Sequence, residues 1–115
     1  MRVMLFVLLF AVTDAIAQKI DARIDCKSAG AALVYDCTIR LTRGAQPLSG
    51  VQVSMGADMP SMPMAHNVKP VMAKPGRQPG EYQARLALEM QGEWTVKLRL
   101  SGPVRDQIVK TMRFD

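Results

Sequence analysis

The chain has 115 residues and a net charge of +5, from 15 Lys and Arg against 10 Asp and Glu. The basic residues are spread singly from Lys19 to Arg113, with no basic run and no interleaved aromatics. That pattern excludes a nucleic-acid platform and reads as a solvated surface. A single histidine, no Ser or Cys in a nucleophile setting, no carboxylate pair and no glycine-rich phosphate loop leave no catalytic constellation, so a non-enzyme is expected.

The N-terminus has the three parts of a secretory signal. Arg2 supplies positive charge, Val3 to Val12 is uninterrupted apolar sequence, and Ala15-Ile16-Ala17 places small residues where a signal peptidase reads. A membrane anchor is the competing reading, but the apolar run is half of the roughly 20 residues that a spanning helix needs. Residues 1–17 are therefore expected to be a signal peptide, and 18–115 one mature domain, periplasmic or secreted and not membrane-spanning.

From Ile20 onward the pattern has period two. Ile20, Ala22, Ile24 and Cys26 share one parity, and Leu33, Tyr35, Cys37, Ile39 and Leu41 share the next. Each run reads as a strand with one buried face. The two cysteines lie on the apolar parity of their strands, and an even count in an exported chain predicts a disulfide between Cys26 and Cys37. Their spacing and the lack of a third thiolate or a nearby histidine speak against a metal pair.

Turns at Arg43–Pro47 and Ser49-Gly50 precede a strand that places Val51, Val53 and Met55 inward. An irregular stretch follows from Gly56 to about Ala65. A short strand near His66–Ala73 contains Pro70, which marks an edge or a bulge. Tyr82, Ala84, Leu86 and Leu88 alternate in one further strand, and Trp94, Val96, Leu98 and Leu100 in the next. Met90-Gln91-Gly92 is expected to join these two as a hairpin. A last strand runs from about Asp106 to Phe114. About seven strands without helical periodicity predict an all-β, immunoglobulin-like antiparallel β-sandwich, with a small closed barrel as the alternative.

The segment that carries chemistry is Met55-Gly-Ala-Asp-Met59-Pro-Ser-Met62-Pro-Met64-Ala-His66, which ends in the sole histidine. Pro60 and Pro63 are expected to hold the backbone extended, and spacing by two then sends Met62, Met64 and His66 to one side. Thioether sulfur is soft and selects Cu(I), or Ag(I), over Zn, Mg or Ca. The candidate ligands are Met59, Met62, Met64 and His66, while Met55 continues its strand into the core. Methionine is also adaptable core filler, so a loop that seals one end of the sandwich remains the alternative. Met72 and Met90 are weaker candidates; Trp94 has the core parity of its strand and is expected in the core, although its face over a bound Cu(I) would be a cation–π contact.

Three blocks resemble the YtkA-like and FixH-like domains of exported or membrane-attached bacterial proteins. They are Val51 to His66 with its methionine loop, Pro79-Gly80-Glu81-Tyr82, and Met90-Gln91-Gly92-Glu93-Trp94-Thr95-Val96, together spanning roughly residues 41 to 100. The resemblance implies an immunoglobulin-like sandwich in the company of heavy-metal handling. It supports Met59, Met62, Met64 and His66 as the loop, and Gly80, Tyr82, Gly92 and Trp94 as fold residues. FixH-like proteins carry a membrane anchor, whereas this N-terminus looks cleavable, which favours a free periplasmic protein. The expected function is Cu(I) buffering or transfer to or from a periplasmic or membrane partner. The alternative is a metal-free interaction module docking on a membrane or efflux complex.

Overall fold

The structure, a computed structural model, describes residues 19–62 and 64–115. The expected signal peptide and Pro63 lie outside the described residues. Nine strands occur, two of them only two residues long: β1 (Ile20–Ser28), β2 (Val34–Arg43), β3 (Gln46–Pro47), β4 (Gln52–Asp58), β5 (Asn67–Met72), β6 (Lys74–Pro75), β7 (Glu81–Ala87), β8 (Gly92–Ser101) and β9 (Asp106–Phe114). They form two antiparallel sheets, β1-β2-β7-β6 with β3 on β2, and β5-β4-β8-β9. This is the expected immunoglobulin-like sandwich, and no helix occurs among the described residues.

Alternation decides which faces meet. In β7, Tyr82, Ala84 and Leu86 are buried while Gln83, Arg85 and Ala87 are exposed. In β8, Trp94, Val96, Leu98 and Leu100 are buried between exposed Lys97 and Arg99. These side chains pack with Ile39, Leu41, Val53 and Met55 into one core. Each fully buried side chain of this size is worth about 1.5–3 kcal/mol relative to exposure, so this layer is the main stabilising term.

Cys26 and Cys37 are directly opposite in the β1–β2 register and are bonded to each other, tying the edge strand to its neighbour. Strand β5 lies at a sheet edge, with the register shift opposite it between Met55 and Ala57, as Pro70 foretold. On the opposite edge, Lys110 of β9 reaches Asp21 of β1 at 3.4 Å, a charged clasp across two sheet edges, the strands whose unpaired backbone is a template for a foreign strand.

Tyr82 explains the Gly80-Glu81-Tyr82 block. Its hydroxyl donates to the Leu48 carbonyl at 3.0 Å and accepts from the Val51 N–H at 3.4 Å. Gly80 has φ +76°, and a Cβ there would lie 2.7 Å from the Leu41 carbonyl oxygen, so only glycine fits. Together they pin the crossover from β2 to β4 against the start of β7, in the manner of a tyrosine corner.

One expectation is corrected. β7 and β8 do not form a hairpin: β7 pairs with β2 and β6, and β8 pairs with β4 and β9. The turn at Met90–Gly92 is an arch that carries the chain from one sheet to the other. Two strands facing each other across a core alternate just as two paired strands do, so periodicity does not separate the cases.

Candidate metal centre

The segment between β4 and β5 is closed at its base by a hydrogen bond from the Met59 N–H to the His66 carbonyl, 3.1 Å. Within it, the Met62 N–H bonds the Met59 carbonyl at 3.1 Å. The Ala65 and His66 N–H groups both bond the Met62 carbonyl, at 3.2 and 3.0 Å. The backbone therefore makes two successive turns and is not extended. The cause is proline placement. Pro60 holds the second position of Met59-Pro60-Ser61-Met62, and the sequence puts Pro63 at the same place in Met62-Pro63-Met64-Ala65. Proline's fixed φ suits that turn position as well as it suits extended chain. Spacing by two consequently does not place Met62, Met64 and His66 on one strand face.

The methionines divide by burial. Met55 is fully buried, as expected. Met59 is also buried, at 7% exposure, and a Cβ on Gly92 would lie 3.2 Å from its methyl carbon. It forms the floor of the loop beneath the arch. Met62 is 45% exposed and Met64 93% exposed. Asp58, the nearest carboxylate in sequence, is engaged by Lys97 at 2.8 Å.

His66 is half-buried, and its Nδ1 lies 2.7 Å from Oε2 of Glu89, at the start of the arch. An ionised carboxylate has no proton to give, so Nδ1–H is the donor. In the neutral ring, Nε2 then keeps its lone pair. Next to Glu89 is Met90, partly exposed, whose carbonyl accepts from the Trp94 indole N–H at 3.1 Å. The Trp94 ring is fully buried and presents no face to a cation outside the core. Met72 sits at the far end of β5. Its partner is Ser54, whereas Asn67 beside the loop pairs with Asp58, so Met72 lies about 17 Å further along the strand.

One end of the sandwich thus brings together the β4–β5 loop and the β7–β8 arch. It offers the thioethers of Met62, Met64 and Met90, the Nε2 of His66, and a carboxylate behind the imidazole. Glu89 escapes sequence reasoning because a hairpin would have kept it and Met90, there only a weaker candidate, within one sheet. The signal that could have found them is the Met90-x-Gly92-x-Trp94 pattern, whose glycine and tryptophan shape the arch.

No group of three or more His, Cys, Asp or Glu gathers among the described residues, so the donors on offer here are predominantly sulfur. Two or three thioethers and one imidazole nitrogen lone pair would make a soft, uncharged set, a chemistry that suits Cu(I) and suits Zn(II) poorly. A broad surface depression of about 1500 Å³ lies elsewhere, over Arg23, Asp36, Arg40 and Arg85, and includes no residue of this loop.

No curated protein and no solved structure matches the chain. The model of the YtkA-like family matches residues 17–99. The match takes in β1 to β7, the methionine loop, the arch and most of β8, and it reaches Cys26 and Cys37, beyond the three blocks that first suggested it. The chain therefore belongs to the YtkA-like family.

Proposed function

We propose that this is an exported, periplasmic Cu(I)-binding domain, a carrier with no catalytic role, which buffers copper or passes it to a partner protein. Met62, Met64 and His66 are the donors, and Met90 is a further sulfur within the same end of the fold. Met59 serves as the floor, joining the set only if the loop lifts from the arch. The observation that carries this reading is the split in exposure. A methionine that seals a core is buried, as Met59 is, whereas Met64 at 93% exposure seals nothing. Ligands on an exposed loop, outside any deep pocket, also suit exchange with a second protein.

The test is anaerobic competition for Cu(I) against a chromophoric chelator. Wild type is expected to take up one equivalent, and Met62→Ser, Met64→Ser and His66→Ala each to lose at least tenfold in affinity, about 1.4 kcal/mol. No competition at any protein excess would sink the proposal. The same exposed methionines favour a second reading, a metal-free module whose apolar loop docks on a membrane or efflux complex. That module would tolerate His66→Ala and lose its partner on Met→Ser.

A further inference from the structure

We infer that Glu89 is a positioning residue of this site, fixing the tautomer of His66 so that Nε2 is the metal-binding nitrogen. The inference rests on the copper reading above. Its starting point is the 2.7 Å contact between Nδ1 and Oε2. Imidazole side chains free in water prefer the proton on Nε2, which would block that nitrogen as a ligand. A carboxylate accepting from Nδ1–H reverses the preference and makes the ring a better donor.

The carboxylate is held from both sides of the chain. The Leu88 N–H bonds the Leu33 carbonyl at 2.8 Å, immediately before Glu89. The Trp94 indole fixes the Met90 carbonyl immediately after it. Glu89 is thus carried on backbone anchored to β2's entry and to the core, which is the support a ligand-orienting group needs. The ring it orients is anchored too, since the His66 N–H and carbonyl are both bonded within the loop.

Stability gives this pair no comparable role. The Glu89 side chain is 56% exposed, and an ion pair or hydrogen bond at that exposure contributes little to folding. A structural role and a positioning role therefore predict different outcomes for Glu89→Ala.

His66 is the sole histidine, so its ring nitrogens give one set of signals in long-range ¹H–¹⁵N spectra. In the metal-free protein at mildly alkaline pH, wild type is expected to carry its proton on Nδ1, and Glu89→Ala to revert to mainly Nε2–H with an unchanged melting temperature. Anaerobic Cu(I) competition should then show Glu89→Ala weakened by roughly 10- to 100-fold. Equal affinities in the two proteins, or the same tautomer in both, would overturn the positioning role while leaving the copper site standing. An Nδ1–H ring in a wild type that takes up no Cu(I) would overturn the copper reading and the positioning role with it.

Discussion

Gly92 is the residue on which the arch turns, and Gly92→Ala tests whether the arch is held as described. Its φ of +134° lies where side chains are rarely accommodated, and holding an L-residue there costs about 1–3 kcal/mol. The added methyl would also meet the Met59 methyl at 3.2 Å, but that is the tip of a flexible side chain and can retreat. Backbone strain should dominate, giving about 2 kcal/mol. At 4–8 °C per kcal/mol for a domain of this size, the melting temperature should fall by roughly 8–16 °C, read by far-UV circular dichroism. Repeating the substitution in a Met59→Ala background separates the two causes: strain predicts an undiminished cost, and contact predicts that the cost disappears. A Gly92→Ala protein within about 0.5 kcal/mol of wild type would refute the account, because surface substitutions without a special backbone role fall in that range.

Two other expectations follow from the packing and the charges. Replacing Cys26 and Cys37 together by Ala opens a cross-link of sequence separation 11, worth about 3 kcal/mol by chain entropy. Thermal unfolding should show a drop of roughly 12–24 °C with Cu(I) affinity intact; an unaltered melting point would mean that the β1–β2 pairing holds the edge without the bond. The Asp21 carboxyl is held below its ordinary value of 3.8, first by the Ala22 N–H and then by Lys110. A depressed folded-state value gives stability that is present above the unfolded-state value and lost as pH falls through the folded one. Asp21→Asn should therefore lower stability slightly near neutrality, with the difference starting to fade as pH drops below 3.8, gone once pH has passed the lower folded-state value, and shrinking in high salt because the pair is solvent-exposed; a deficit that persists in acid would disprove this origin.

Period-two alternation made the sandwich legible because a strand with one buried face has no other way to be written. It located β2, β8 and β9 almost to the residue, and the shared parity of Cys26 and Cys37 anticipated their pairing. Pro70 announced an edge strand for an equally local reason, the loss of a backbone donor. Where one local pattern served two geometries, the sequence was silent. Tyr82–Leu88 and Trp94–Leu100 have the same alternation whether they pair side by side or face each other across a core. Pro60 has the same φ in extended chain and at the second position of a turn. Both ambiguities bear on the site, since the arch brings Glu89 to His66 and the turns take Met62 and Met64 off a common strand face.

Residue type could not divide the methionines, because a thioether is as good a core filler as it is a soft ligand. Position does divide them. Met55 continues the inward parity of β4, and Met59 follows with the same parity, which is why both end in the core. After Met59 the chain turns twice, and the parity rule lapses. Met62 and Met64 are free of the core because the chain turns after Met59 and again after Met62, and His66 returns the chain to β5 with its ring against Glu89. The same turns that spoil a common strand face shorten the distance the loop spans, closing Met59 onto His66 across six intervening residues. A loop built only to cover the end of the sandwich needs one buried methionine, and Met59 fills that place. The two exposed thioethers on the loop that ends in His66 are the surplus that a packing role leaves unexplained and that the proposed copper exchange would use.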